Sequence, residues 1–136
     1  MNRYRITNDN ITKLDKNEIF VFGDNEAGIH GAGAAKFALQ KCGAVMGKHD
    51  CLQGNSYGIS TKNKYLQVLP IEAISLKVHR FIIIAKMKPD KIFLVTKIGC
   101  GLAGYKPKDI APMFKECLTM ENVYLPLNFI WEIDKQ

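Results

Sequence analysis

Apolar positions along the chain fall into two kinds of run, short ones rich in β-formers and longer ones at three- and four-residue steps, and the two kinds alternate. RYRI, residues 3–6, reads as an edge strand and EIFVFG, residues 18–23, as a buried strand, with TNDNITKLDKN between them as loop. In NEAGIHGAGAAKFALQKCGAV, dense glycine gives way to Ala34, Ala35, Phe37, Ala38, Leu39 and Cys42. That order predicts a tight turn feeding a helix packed closely on a sheet. GKHDCLQGNS reads as an irregular surface connection, YGIST (57–61) as a short strand, and KNKYLQVLP stays unassigned.

From Ile71 the apolar residues Ile74, Val78, Phe81, Ile82 and Ala85 predict a helix that runs to about Met87 and is stopped by Pro89. KIFLVTKI, residues 91–98, is the clearest strand. DIAPMFKECLTM carries Ile110, Met113, Phe114, Cys117 and Leu118 on one helical face, with Asp109 as N-cap and Pro112 where a missing N–H costs no helical bond. NVYLPLNFI, residues 122–130, reads as a last strand, with Pro126 at an edge or bulge. Alternating strands and amphipathic helices imply one domain over residues 1–136. Its expected architecture is a three-layer α/β/α fold around a mixed central sheet.

Composition narrows the function classes. A chain of 136 residues buries roughly two-thirds of its unfolded surface and needs no staple. The four cysteines, Cys42, Cys51, Cys100 and Cys117, form no C-x-x-C and have no histidine pair nearby, so neither a zinc knuckle nor a disulfide framework is indicated. No metal and no cofactor is called for. A polar N-terminus and the lack of a long apolar run point to a cytoplasmic protein without a membrane segment. The formal charge of +6 favours anionic partners. The lysines are dispersed, however, and describe a solvated cationic surface better than a nucleic-acid footprint, which remains the weakest of three function classes.

Ile98–Tyr105, IGCGLAGY, contains a literal G-x-G-x-x-G behind an apolar strand. A dinucleotide fingerprint would lead its third glycine straight into a helix and close the next strand with an acid about 20 residues on. Here Tyr105, Lys106 and Pro107 intervene and Glu121 precedes the next strand. GIHGAGAAK is not a P-loop either, lacking glycine before Lys36 and Ser or Thr after it. What remains is a pair of glycine-rich turns, Gly28–Gly33 and Gly99–Gly104, each after a strand and before a helix. Bare main-chain N–H groups at such places attract a phosphate, and two turns suit a diphosphate.

With these turns in view, the chain resembles the macrodomain family of ADP-ribose-binding modules over most of its length. NDNITKL (8–14) resembles that family's first-loop G-D-I-T segment, and IFVFGDNEAG its strand and N-A-A-N turn. GIHGAGAAKFALQK (28–41) and KIGCGLAGYKPKDIAPMF resemble the glycine loop and the I-G-C-G-L loop of the branch with the terminal ADP-ribose glycohydrolase and the ADP-ribose phosphatases. The resemblance implies that Asn10, beside Ile11, accepts from the adenine amino group, and that Asn25 lies near the distal ribose. Backbone from Gly28 through Ile29, Gly31, Ala32 and Gly33, and from Gly99 through Cys100, Gly101, Leu102, Ala103 and Gly104, would hold the diphosphate. Tyr105 would stack on or cover the ribose. The ligand implied is ADP-ribose or an ADP-ribosylated substrate.

Catalysis is a separate question. In the glycohydrolase branch a lysine attacks the anomeric carbon and an aspartate after G-C-G-L assists it. The resemblance puts Lys62 of ISTK on the lysine, as a desolvated nucleophile, but Ala103 on the aspartate. Asp24 and His30 are the substitutes within sequence reach. A reader or scavenger that releases its ligand unchanged is therefore favoured over an ADP-ribosyl hydrolase.

Overall fold

A computed structural model describes residues 5–135. Its strands are β1 (Glu18–Asn25), β2 (Leu52–Gln53), β3 (Ser56–Lys62), β4 (Ile92–Val95) and β5 (Val123–Tyr124). They form one five-stranded sheet in the order β2-β3-β1-β4-β5, in which β3, β1, β4 and β5 are parallel and β2 is antiparallel to β3. The central strand β1 holds its register with β4 from Glu18 opposite Ile92 to Val21 opposite Val95. Helices α1 (Gly33–Lys41), α2 (Ile71–Lys86), α3 (Pro107–Ile110) and α4 (Leu127–Asp134) and a 3₁₀ stretch, Ala111–Thr119, complete the chain.

Side-chain alternation along β1 divides the interior into two cores. Phe20 and Phe22 face α1 and pack with Ala35, Ala38 and Cys42. Ile19 and Val21 face the other way, into a larger cluster with Phe81, Phe93, Phe114 and Phe129 from α2, β4, the 3₁₀ stretch and α4. Helices thus cover both faces and the architecture is mixed α/β in three layers. The small residues of α1 matter here, because Ala35 and Ala38 let that helix lie close on the phenylalanines.

Several sequence expectations are corrected. The expected strand at residues 122–130 ends at Tyr124; Pro126 sits in extended backbone ahead of α4, where it stops the ladder, and Phe129, Ile130 and Ile133 are buried at helical spacing. A short apolar run does not by itself reveal which period it follows. Asp109 is not an N-cap: the helix starts at Pro107, and the Asp109 carboxylate accepts the Lys106 N–H at 3.0 Å. Only Pro107–Ile110 is α-helical, and the rest of the expected helix is 3₁₀. Pro112 supplies no N–H, and its ring would clash with the carbonyl of residue 108 in an α-helix. β4 stops at Val95, because Thr96 turns its amide and its hydroxyl back onto the Val21 carbonyl at 3.0 and 2.8 Å. Within RYRI, residues 3 and 4 lie outside the described residues; Ile6 makes a single parallel bridge to Leu125. β2, in the expected surface connection, is an additional edge strand.

Candidate functional site

In an open parallel sheet the strand-to-helix loops gather beyond the carboxyl ends of the strands, and there the chain forms a cleft of about 730 Å³. Four strand ends contribute in spatial order: Lys62 from β3, Asp24 and Asn25 from β1, Lys97 and Gly99 after β4, and Pro126 after β5. At about 4.8 Å per strand, that row is about 14 Å long. The segment Thr7–Ile11 closes the far end. It is held there by the Thr7 N–H, which donates to the Leu125 carbonyl at 2.8 Å.

Both glycine-rich turns border the cleft. Ile29, Gly31, Ala32 and Gly33 line it from the first turn, and Gly99, Gly101, Leu102 and Ala103 from the second. Ala32 is the N-cap of α1 and has no side chain able to cap, so the first amides of the helix find no acceptor among the described residues. The amides of residues 101–103 are likewise unpartnered among the described residues. The tight turns around them close through other amides, Cys100 to Lys97, Gly104 to Gly101 and Tyr105 to Gly99. Two stretches with unpartnered main-chain amides therefore border one cleft.

The positively-φ glycines differ in purpose. Gly28, at φ +67°, does not line the cleft; a Cβ there would come within 2.4 Å of the Gly47 carbonyl carbon, so its role is close approach to the neighbouring loop. The Gly47 N–H donates to the Gly28 carbonyl at 2.8 Å and fastens the two loops. Gly104 and Cys100 also stay off the cleft wall. Tyr105 points away from it and donates its hydroxyl to the Leu69 carbonyl, which anchors the second turn to the chain after β3. It is not among the residues lining the cleft.

Asn25 borders the cleft, but its side chain is engaged within the turn. Its Nδ2 donates to the Ile29 carbonyl at 2.8 Å and its Oδ1 accepts the Ile29 N–H at 3.0 Å. It braces the first turn. Asn10 and Ile11 line the far end, where Ile11 packs toward Phe20 and Phe37; those two rings meet edge-on at 5.0 Å. That end combines the apolar side chains of Ile11 and Phe37 with the amides of Asn8 and Asn10 and the carboxylate of Asp9.

The expected substitutes for a catalytic acid lie beneath the floor. The side chains of Asp24 and His30 have no exposed surface, and His30 Nδ1 stands 3.1 Å from Asp24 Oδ1. His30 Nε2 lies 2.9 Å from the Val45 carbonyl, which can only accept, so Nε2 carries a proton. Burial pushes the Asp24 carboxyl up to about 6, against the Asn25 amide and the charge of His30, which favour ionisation; Asp50 adds to the rise and His49 opposes it. The carboxylate sits over Gly58, where a Cβ would come within 2.3 Å of Asp24 Oδ2. Asp24 reaches the cleft only as part of its floor and His30 not at all, so neither is placed to touch a substrate.

What remains at the surface is Lys62, half-buried at the end of β3, and Lys97, which pairs with Asp9 at 3.5 Å. Sequence reading missed Thr7, Asp9, Thr61, Leu66, Thr96 and Lys97 as cleft residues. The one available signal was their position at or just beyond a strand end. Among the described residues no group of three His, Cys, Asp or Glu side chains could hold a metal ion, and no helix is long and apolar enough to cross a membrane.

No protein-family model matches the chain, and no curated protein or solved structure does either. The functional reading therefore rests on the geometry of the cleft.

Proposed function

We propose that the protein binds a nucleoside diphosphate sugar of the ADP-ribose type in this cleft and acts on it as a reader or scavenger. One observation supports the reading: two glycine-rich turns at neighbouring strand ends, each with unpartnered main-chain amides among the described residues, border the same cleft. Amides of this kind, reinforced by the dipole of α1, hold a pyrophosphate without a dedicated cation. The base would lie against Ile11 and Phe37 with Asn10 accepting from its amino group, and the distal sugar would reach Lys62 at the other end. A span of about 14 Å suits a ligand longer than a mononucleotide.

Binding without turnover is favoured over hydrolysis by the distribution of acids. Ala103 brings a methyl group where a carboxylate would assist Lys62, Asp24 is sealed under the floor, and the surface carboxylate of Asp9 lies with Lys97 toward the base end. General acid–base catalysis needs a group within hydrogen-bond reach of the reacting atom.

Calorimetric titration with ADP-ribose and AMP tests the reading. ADP-ribose is expected to bind and to raise the melting temperature; ligand at 100 times its dissociation constant adds about 2.7 kcal/mol. No heat and no shift at millimolar ADP-ribose refutes it. Release of free ADP-ribose from an ADP-ribosylated protein, lost in Lys62→Ala, would instead make the protein a hydrolase.

A further inference from the structure

Leu66 stands in a conformation that a leucine rarely adopts, with φ +63°. The residues around it force this. Asn63 Oδ1 accepts from the amides of both Tyr65 and Gln67 at 2.9 and 3.0 Å, its Nδ2 donates to Gln67 Oε1 at 3.0 Å, and the Leu66 N–H donates to the Asn63 carbonyl at 2.9 Å. The base of the loop is closed by the Leu69 N–H on the Thr61 carbonyl at 2.8 Å and by the bridge between Lys62 and Val68. A strained position that is held this firmly marks a side chain whose placement matters.

That side chain lines the cleft at the β3 end, beside Lys62, and is 47% exposed. Its neighbour Tyr65 stays outside, with the Lys64 ammonium 5.2 Å from its ring centre. Two more apolar side chains border the same cleft, Ile29 at 45% and Leu102 at 84% exposure, one from each glycine turn. Three exposed aliphatic side chains from three separate loops thus share one opening.

We propose that Leu66 is a specificity-determining residue that closes the Lys62 end of the cleft over the terminal sugar of the bound ligand, with Leu102 and Ile29 as the opposing lips. The assignment rests on the nucleotide reading above. The aliphatic collar covers the carbon face of the sugar, removes water from its contact with Lys62, and slows escape of any ligand long enough to reach β3. A ligand ending at the first phosphate does not reach it. The left-handed position of Leu66 is held in a loop that places this leucine on the cleft wall.

The test compares ADP-ribose with AMP on the parent chain and on Leu66→Gly, Leu66→Asn and Leu66→Met. Glycine and asparagine accept the positive φ, so both variants are expected to melt no lower than the parent. Both should bind ADP-ribose about tenfold more weakly, with AMP unchanged, and methionine should restore most of the loss. ADP-ribose affinity unchanged in Leu66→Gly, or ADP-ribose and AMP weakened alike, overturns the assignment while the nucleotide reading stands. A parent chain that binds neither nucleotide overturns both.

Discussion

Replacing Asp24 by asparagine should make the protein more stable at neutral pH, although it removes a buried ionisable group next to a histidine. The Asp24 side chain has no exposed surface and its carboxyl is pushed from the ordinary value of 3.8 up to about 6, chiefly by burial. The folded state therefore binds this proton more tightly than the unfolded chain does. Stability from the protonated carboxyl is fully present below pH 3.8 and is lost as pH rises through about 6. At about 1.4 kcal/mol per factor of ten in proton affinity, the loss is on the order of 3 kcal/mol.

Asparagine keeps the shape and can turn either its N–H or its carbonyl oxygen toward His30 Nδ1, while Nε2 keeps its bond to the Val45 carbonyl. Urea unfolding at pH 4 and pH 7.5 provides the measurement. The variant should match the parent at pH 4 and exceed it by up to about 3 kcal/mol at pH 7.5, equivalent to roughly 10 °C in melting temperature. Contributions from ionisable groups remote from Asp24 are shared and cancel in the difference. Parallel pH profiles for the two chains, or a variant less stable at pH 7.5, would refute the account of a carboxyl strained by burial.

Gly58→Ala should destabilise by about 1–3 kcal/mol, because the new methyl meets Asp24 Oδ2 at 2.3 Å; in a chain that already carries Asp24→Gly the same change should cost less, as chemical denaturation of the four chains will read. Gly28→Ala combines a positive φ with a clash against Gly47, so it should cost about 2 kcal/mol or more and also weaken ADP-ribose binding, through the displaced first turn. Asp50 behaves oppositely to Asp24: burial pushes its carboxyl up, but the Ser60 amide and hydroxyl, His49 and Lys77 together outweigh burial and hold it below 3.8. Its stability is present above pH 3.8 and lost as pH falls, so Asp50→Asn should flatten acid unfolding and destabilise at pH 7 by about 1–3 kcal/mol, since Lys77, 2.9 Å away, loses its closer carboxylate partner.

The helix from Ile71 and the strands around Phe20, Ile59 and Leu94 were legible because each has its own apolar period and is bounded by proline, glycine or polar residues. Both glycine turns could likewise be located, since turns with positive φ require that residue type. NVYLPLNFI was misread for the same reason that the others succeeded: its apolar residues are too few to separate a period of two from one of 3.6. The places of Tyr105 and His30 beside glycines suggest cleft residues, yet one bonds to the Leu69 carbonyl off the cleft and the other is buried between Asp24 and Val45.

By itself the chain therefore determined the alternation of strands and helices, the expected division into layers, and the positions where main-chain amides can approach an anion. Those properties are local, set by the chemistry of a few consecutive residues. Which side chains reach the cleft was decided by tertiary packing alone. Asp24 is hidden because Gly58, on a strand 34 residues later, leaves room for it. Leu66 is displayed because Asn63 bends its loop back toward the strand ends. Orientation depends on neighbours brought together from distant parts of the chain, and no period in the sequence carries that information.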